Sequence, residues 1–265
     1  MKMVINVLTT KNLNFSFGKQ TILNGISIAI QEGEMVSLLG PNGSGKSTLL
    51  RCLAKLYATQ KNEVYLMGRP INEYSKKEMA QNIAFLPQVQ EPVTHMKVWD
   101  LVAFGRSPYQ KFGWVYSGED KDIISWAMDY MHIIHLKDKY VNELSGGEKQ
   151  RVWIAMILAQ NTPIIFLDEP STYMDLKHQW DLLKIINGLK EEFNKTIVSV
   201  FHDLNHALEI SDKVILLKEG HIYATGSTKE VITEQAIEDV YDMKAKVCHL
   251  NIESKSHCLI APLGR

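Results

Sequence analysis

Residues 40–48, GPNGSGKST, have the residue types and spacing that bind a polyphosphate. The pattern G-x-x-x-x-G-K-[S/T] begins at Gly40 and ends at Lys46 and Ser47, between an apolar run and an amphipathic helical pattern. Glycines let backbone N–H groups close around phosphate oxygens, the lysine reaches the β and γ phosphates, and the hydroxyl of Ser47 can ligate Mg²⁺. The segment therefore predicts a nucleoside triphosphate site rather than an ordinary glycine-rich turn.

Two adjacent carboxylates, Asp168 and Glu169, end the apolar run IIFLDE. Open α/β sheets bind their ligands at the carboxyl ends of strands, so both side chains are expected beside the phosphates. Asp168 would hold Mg²⁺ through water, and Glu169 would orient or deprotonate the attacking water. The alternative is a pair of helix-capping residues, because the sequence DEPS also suits the start of a helix.

Two further polar residues follow short apolar runs. His202 ends TIVSVFH and could point at the same phosphate group, although a hydrogen-bonded core histidine is the ordinary alternative. Gln88 follows IAFLP and could ligate Mg²⁺ or the attacking water, although a solvated loop residue is the usual outcome. Both interpretations depend on the phosphate-binding pattern elsewhere in the chain.

A second helix start suited to an anion lies at residues 144–158, LSGGEKQRVWIAMIL. Ser145, Gly146 and Gly147 are small and leave backbone N–H groups accessible ahead of an apolar helix. Two such starts in one chain indicate either a second ligand or one ligand that is shared between two sites.

The elements that must position these residues follow an α/β pattern. Four runs are apolar at almost every position, as in strands buried on both faces of a parallel sheet: MVSLLG (35–40), IIFLDE (164–169), TIVSVFH (196–202) and KVILLKEG (213–220). Helical patterns lie between them, including STLLRCLAKLY, which ends at Tyr57, and HQWDLLKIINGLKEEF. Residues 1–34 alternate instead, with turns at Gly18 and Gly33, which predicts an antiparallel edge sheet.

These patterns predict one domain with three regions. Residues 1–88 and 161–240 would form a catalytic core with a mostly parallel sheet and the antiparallel strands at its N-terminus. Residues 89–160, rich in tryptophan and methionine, would form an inserted helical subdomain. Residues 241–265 form a tail, for which we predict a β-hairpin.

The tail also contains a zinc-type ligand set, namely Cys248, His249, His257 and Cys258. A hairpin would bring the two pairs together. Adjacent residues on a strand point to opposite faces, however, so at most one of each pair could face a common centre without a bulge. An ordinary hairpin is therefore the preferred interpretation.

Composition restricts the class of protein. The 265 residues carry 29 basic and 30 acidic side chains, for a formal net charge of −1, so nucleic acid is not an expected partner. No apolar run is long enough to span a bilayer, and the N-terminus lacks the pattern of a signal peptide, which predicts a location in the cytoplasm. Three scattered cysteines fit a reducing compartment.

Taken together, these segments resemble the ATP-binding-cassette (ABC) ATPases, in order, from about residue 11 to residue 240. The resemblance implies a P-loop NTPase core and hydrolysis of ATP to ADP and phosphate, with catalytic roles for Glu169, His202 as the switch histidine, Lys46 and Gln88 of the Q-loop. It implies Mg²⁺ bound by Ser47, Gln88 and Asp168. It also implies that Phe17 stacks on adenine and that the nucleotide is bound by Gly40, Pro41, Asn42, Gly43, Ser44, Gly45, Lys46, Ser47 and Thr48.

In this family LSGGE is the signature, which caps the γ-phosphate bound by a second subunit. The resemblance therefore implies a head-to-tail homodimer with ATP, in which the partner's signature is formed by Ser145, Gly146, Gly147 and Glu148. One ATP is then shared between two chains. Of the two possibilities for the second helix start, the resemblance thus implies the shared ligand. The D-loop departs from the commonest pattern at residues 171–174 but keeps Asp175.

Several stretches, including VAFGRSPY (102–109) and FHDLNHALEISDKVILLKEGHIYATG, are similar to ATPases of ferric siderophore, haem and cobalamin importers. We expect ferric siderophores first, haem and cobalamin next and a bare metal ion last, with an exporter or a cofactor-assembly ATPase as alternatives. The resemblance implies integral-membrane permease subunits, an indirect extracellular or periplasmic substrate-binding protein, and a location on the cytoplasmic face of the membrane.

The permease contact is expected at residues 93–101 and 104–109, where exposed Met96, Trp99 or Tyr109 would form a docking surface. The alternative is plain core packing, since Met and aromatic residues at helical spacing are usually interior. Both can hold for different residues of the stretch.

Overall fold

The computed structural model describes residues 5–90, 93–110, 115–172, 174–252 and 255–263. Its strands are β1 (Asn6–Thr10), β2 (Leu13–Phe17), β3 (Gln20–Ile26), β4 (Ala29–Gln31), β5 (Met35–Leu39), β6 (Val64–Leu66), β7 (Arg69–Pro70), β8 (Ile83–Leu86), β9 (Ile164–Asp168), β10 (Thr196–Val200), β11 (Lys213–Lys218), β12 (His221–Gly226), β13 (Ala245–Ile252) and β14 (Lys255–Pro262). Its α-helices are α1 (Lys46–Leu53), α2 (Lys76–Asn82), α3 (Val98–Ala103), α4 (Gly118–Tyr130), α5 (Gly146–Ala159), α6 (Leu176–Phe193), α7 (Leu204–Ile210), α8 (Thr228–Val231) and α9 (Glu234–Tyr241).

The chain forms two compact units. The first unit consists of residues 1–73 and 196–265, and the second of residues 74–195. The predicted helical region contributes α3, α4 and α5 to the second unit. No helix within the described ranges combines the length and apolar character that crossing a bilayer requires.

The core of the first unit contains strands in the order β12, β11, β5 and β10. β5 pairs in parallel with β10 and with β11, whereas β12 is antiparallel to β11. Every residue of β5 and of β10 is buried, which explains why their sequences are almost continuously apolar. The parallel strands predicted from three of the four apolar runs are thereby confirmed.

The N-terminal part of the first unit is antiparallel, as the alternating pattern predicts. β1 pairs with β4 on one side and with β6 on the other. β2 and β3 form a hairpin in which Phe17 lies opposite Gln20, so its two-residue turn falls at the predicted Gly18.

The second unit contains the fourth predicted apolar strand. β9 is buried along its whole length and pairs in parallel with β8. Helices α3 and α4 both pack against α5. Val98, Leu101 and Val102 bury one face of α3, whereas Trp99 is only half-buried.

One helix is shorter than its sequence pattern predicts. The apolar stripe of STLLRCLAKLY continues to Tyr57, but α1 ends at Leu53. Lys55 adopts a left-handed backbone conformation with φ of 57°, which a helix cannot continue through. As a result Leu56 is 57% exposed rather than part of the core.

The tail contains the antiparallel pair β13 and β14. Their register places His249 opposite Cys258, Cys248 opposite Leu259 and Leu250 opposite His257. The four candidate ligands thus belong to three different register pairs. The side chains of His249 and His257 lie outside what the structure describes, and among the described residues no group of three or more His, Cys, Asp or Glu is arranged to hold a metal ion.

Candidate functional site

The phosphate loop, residues 40–48, connects the end of β5 to the first turn of α1. It begins at Gly40, whose φ is 142°. A Cβ atom at this position would lie 2.2 Å from the carbonyl oxygen of Leu217 and 2.7 Å from Ser44 Oγ. Only glycine therefore lets the loop turn this closely against β11.

Lys46 is the first residue of α1 and is only 5% exposed. Its Nζ donates hydrogen bonds to the carbonyl oxygens of Gly40 and Pro41, each at 2.9 Å. The ammonium group is thus held across the loop that the sequence predicts to bind phosphate. The loop itself positions this positive charge.

The start of α1 has the properties of an anion site. The described first turn of α1 contains no acidic residue, and its N-cap, Gly45, supplies no side-chain hydrogen bond. Ser44 is 2% exposed, and its Oγ has no hydrogen-bond partner among the described residues. A buried hydroxyl beside an uncapped helix start fits a phosphate oxygen as its missing partner.

Phe17, the residue expected to stack on adenine, ends β2 and is 49% exposed. Its ring packs edge-on against Phe15 at 4.9 Å and against Tyr57 at 5.4 Å between centroids. Phe15 and Tyr57 stack on each other at 5.2 Å. The two supporting rings hold Phe17 while half of its surface stays available. Neither supporting ring was predicted from the sequence. Tyr57 was assigned to the apolar stripe of a helix, and Phe15 was not singled out.

His202 lies just beyond β10, in the first unit, and its side chain is exposed. The buried core histidine considered as its alternative is therefore wrong. The next residue, Asp203, caps α7 by accepting a hydrogen bond from the N–H of Asn205 at 2.8 Å. His202 is thus fixed between a buried strand and a capped helix.

The second unit contains the predicted carboxylates. Asp168 is the last residue of β9 and is fully buried, and Glu169 is 8% exposed. Gln88 Nε2 donates a short hydrogen bond to Glu169 Oε2, so the structure brings together two residues that were predicted separately. Thr172 Oγ1 donates to the same oxygen at 3.4 Å.

The backbone of Glu169 is unusual. Its φ is 57°, a left-handed conformation that costs a residue with a Cβ about 1 to 2 kcal/mol. The capping role considered for DEPS is wrong, because the next helix, α6, begins at Leu176 and has Asp175 as its N-cap. Backbone strain of this kind often occurs at functional positions, where it aims a side chain.

Two glutamines that were not predicted from the sequence, Gln90 and Gln150, form hydrogen bonds next to Glu169. Gln150 Nε2 donates to the carbonyl oxygen of Pro170 at 2.7 Å, and Gln90 Nε2 donates to Gln150 Oε1 at 3.1 Å. Gln150 thereby links α5 to the residue that follows Glu169. The signal for Gln150 was present, since it falls on the buried stripe of α5 with Ile154.

The signature LSGGE starts α5. Ser145 is its N-cap and forms a reciprocal capping box with Glu148, whose pKa is lowered by the side-chain and backbone hydrogen bonds to Ser145. Ser145 and Gly146 are exposed, and Gly147 would place a Cβ 3.8 Å from the His178 ring. This helix start is accessible to a ligand or to another chain.

Asp175 of the D-loop has a structural task in the second unit. It is the N-cap of α6 and accepts a hydrogen bond from the N–H of His178 at 2.9 Å. That bond, followed by the bond to the His178 ring, lowers the pKa of Asp175. The departure at Tyr173 lies outside the described residues.

The residues predicted to bind Mg²⁺ have suitable chemistry. Hydroxyl, amide and carboxylate oxygens are the hard donors that this ion prefers. Ser47 lies in the first turn of α1 in the first unit, and Gln88 and Asp168 lie in the second unit. The set is short of a complete cage, as expected for an ion that also binds phosphates and water.

The order of these segments matches a known family. The family model described as ABC transporter matches residues 23–172, which is more than half of the chain. The chain belongs to the ABC transporter family. As an ABC ATP-binding cassette it binds nucleotide and hydrolyses ATP.

Curated relatives of this ABC ATPase match almost its full length. It is 38% identical over 255 residues to the iron(3+)-hydroxamate import ATP-binding protein FhuC of Bacillus subtilis (strain 168), and the match covers 96% of this chain and 95% of FhuC. It is 39% identical over 258 residues to the ferric enterobactin transport ATP-binding protein FepC of Escherichia coli (strain K12), covering 97% and 94%.

Solved structures show the same fold. A chain from a transporter assigned to the metal-chelate ABC type, in an inward-facing conformation, superposes on this ABC ATPase with a TM-score of 0.86. The two sequences are 25% identical, and the match covers 98% of each chain. The ABC cassette fold that the sequence implies, with its P-loop core and mostly parallel sheet, is therefore confirmed.

Proposed function

We propose that this ABC ATPase powers the import of a ferric siderophore. The observation that carries the proposal is its similarity to FhuC and FepC over nearly the whole of all three chains. Both relatives are named for ferric chelates, which differ from each other in the chemistry of the chelator. The class of substrate is thus better supported than any one compound.

Four residues would take part in the reaction, namely Glu169, Lys46, Ser44 and His202. Glu169 would accept the proton of the attacking water, because its buried carboxylate is held by Gln88 and by a strained backbone. Lys46 would neutralise charge on the β and γ phosphates, and Ser44 would donate to a phosphate oxygen. His202 would contact the γ-phosphate.

Mg²⁺, held by Ser47, Gln88 and Asp168, would neutralise charge on the phosphates when it is bound. Phe17 would stack on the adenine ring, for which its half-exposed surface is suited. The nucleotide would thus be bound at the base by aromatic contact and at the phosphates by the loop that follows β5.

We expect two copies of the chain to share each ATP. Ser145 and Gly146 are exposed at the start of α5, so the signature is accessible to the phosphates bound by a second copy. Contacts to the γ-phosphate would favour a closed head-to-tail dimer, and hydrolysis would remove them.

The permease would dock on residues 93–101 and 104–109. Met96, Trp99 and Tyr109, which were expected to be exposed, are half-buried, whereas Phe104 is 38% exposed. The inner face of α3 is core, and these partly exposed side chains would offer a surface for an integral-membrane partner. The chain would then be held at the cytoplasmic face of the membrane.

The test uses cells that lack this chain and carry wild type, Glu169→Gln or Glu191→Gln. Glu191 is an exposed glutamate of α6, so its substitution is a matched control. We expect wild type and Glu191→Gln to restore uptake of a labelled ferric hydroxamate or ferric enterobactin. Glu169→Gln should bind ATP, accumulate as a dimer and restore nothing.

Three results would contradict the proposal in different ways. Restored uptake of haem or cobalamin alone would replace the substrate. If cells that lack the chain take up every compound as well as complemented cells do, while the purified chain still hydrolyses ATP, the result would point to export or to a role outside transport. Normal hydrolysis by Glu169→Gln would remove Glu169 from its catalytic role.

A further inference from the structure

The first residue of the phosphate loop is bound by a residue from the far end of the first unit. The backbone N–H of Gly40 donates a hydrogen bond to the hydroxyl oxygen of Tyr241 at 2.8 Å. The two residues are 201 positions apart in the sequence. No phosphate-loop pattern includes Tyr241, which is the last residue of α9.

Several contacts fix α9 and therefore the tyrosine. Ala236, Ile237 and Val240 bury one face of the helix. Lys218 Nζ, at the end of β11, donates to the carbonyl oxygen of Asp239 at 2.6 Å. The helix thus has both apolar and polar anchors to the rest of the first unit.

The tyrosine hydroxyl stays neutral. Burial raises the pKa of Tyr241 to about 12, although the hydrogen bond from Gly40 acts in the opposite direction. The neutral phenol oxygen has the lone pairs that accept the backbone N–H of Gly40.

The loop is braced from a second direction by the turn between β11 and β12. Gly220 N–H donates to the carbonyl oxygen of Ser44 at 3.2 Å, and Gly220 accepts from Asn24 N–H at 2.9 Å. Gly220 has φ of 78°, and a Cβ there would lie 2.3 Å from the carbonyl oxygen of Ile22. The approach of this turn to the loop requires glycine.

Gly40 is consequently held on both sides of its Cα. Its N–H is bound by Tyr241, and its carbonyl oxygen accepts from Lys46 Nζ. Glycine has wide backbone freedom, so these two bonds select one conformation among many. That conformation places the Lys46 ammonium where the loop would receive phosphate.

We propose that Tyr241 is a positioning residue for nucleotide binding, which holds the phosphate loop in the conformation that accepts phosphate. The inference rests on the proposed nucleotide site. Loss of the hydroxyl leaves the loop in that conformation for a smaller fraction of the time, and apparent affinity falls by the same factor. One lost hydrogen bond of ordinary strength corresponds to about a five- to tenfold change.

The test compares Tyr241→Phe with Tyr223→Phe. Both variants lose one phenolic hydroxyl of the first unit, and the Tyr223 hydroxyl donates its hydrogen bond to Asp239 of α9 at 2.5 Å rather than to the loop. ATP and ADP affinities are measured by calorimetry, and KM and kcat by phosphate release. Tyr241→Phe should weaken both affinities and raise KM about five- to tenfold, with kcat changed less than about twofold. Tyr223→Phe should match wild type.

The outcomes separate this inference from the proposed function. If wild type binds no ATP, the nucleotide site itself is wrong. If wild type binds ATP and Tyr241→Phe binds it equally well, or loses kcat at unchanged KM, only the role of Tyr241 is overturned. Should the variant fail to fold, hydrogen exchange of the wild-type Gly40 amide decides: protection without nucleotide is expected, and exchange at the rate of a free loop overturns the inference.

Discussion

Replacing Arg106 with alanine should destabilise the second unit more than any surface substitution of the same kind. The Arg106 side chain is 6% exposed and that of Asp120 is 12% exposed, and Arg106 Nε lies 2.7 Å from Asp120 Oδ1. Arg106 Nη1 also donates to the carbonyl oxygen of Ala159 at 3.0 Å. The guanidinium lies 4.0 Å from the centre of the Tyr109 ring. One side chain thus joins the segment after α3 to the start of α4 and the end of α5.

The magnitude follows from what the substitution leaves behind. Asp120 keeps hydrogen bonds from the Ser117 N–H at 3.0 Å and from the Ser117 hydroxyl at 2.8 Å, but it loses its opposite charge. Removing one partner of a buried ion pair costs about 3 to 5 kcal/mol, mostly because the other charge stays buried. Arg106→Lys should fall between alanine and wild type, because lysine keeps the charge but loses the planar fork of donors.

Urea unfolding followed by tryptophan fluorescence is the suitable assay. All five tryptophans of the chain lie between residues 74 and 195, so the signal reports on the unit that contains Arg106. Arg151→Ala is the control in the same unit, because its pair with Asp181 is longer, at 3.6 Å, and more exposed. We expect the control to lose about 1 kcal/mol or less. Equal losses for the two variants would refute the reasoning.

Two further predictions concern ionisation. Burial alone would raise the pKa of Asp120, but hydrogen bonds from Arg106 and Ser117 bring that pKa below its ordinary value. The ionised Asp120 therefore stabilises the folded state fully above about pH 4, the ordinary pKa of Asp. This stabilisation is lost as the pH falls through the pKa of Asp120 in the folded state. Asp120→Asn should therefore flatten the acid limb of the stability curve below that pH, and an unchanged limb in the tryptophan-monitored unfolding series would contradict this. Burial, and then the charge of Glu63, raises the pKa of Cys52 to about 12. A thiol reagent at pH 8 should modify half-buried Cys248 and Cys258 first and Cys52 only in denaturant, whereas three equally fast thiols would show that Cys52 is accessible.

The sequence was most informative for strands that are buried on both faces, because the same burial makes their sequences continuously apolar. β5, β9 and β10 are buried throughout, so their apolar runs predict them correctly. The end of α1 was predicted wrongly, because the apolar stripe continues to Tyr57 while the left-handed backbone of Lys55 stops the helix. The periodicity of a sequence shows which side chains are apolar, but it does not show where a residue adopts a left-handed backbone conformation.

Parts of the site could not be predicted from local pattern at all. The contact between Gln88 and Glu169 joins residues 81 positions apart, and the sequence suggested a common site for the two residues without indicating that their side chains touch. The contact between Tyr241 and Gly40 is longer still, and nothing in the sequence around Tyr241 distinguishes it from an ordinary helix-terminal aromatic. Such contacts are created by tertiary packing, so they become visible only when the strands and helices are assembled.

The left-handed backbone of Glu169 sets stability against activity at a single position. Glycine or asparagine would adopt a φ of 57° more easily than glutamate does. Variants selected for heat resistance alone would therefore be drawn toward those residues, and each such exchange would discard the carboxylate that Gln88 and Thr172 hold in place. Engineering a hardier version of this protein should begin elsewhere in the chain and leave position 169 as it is.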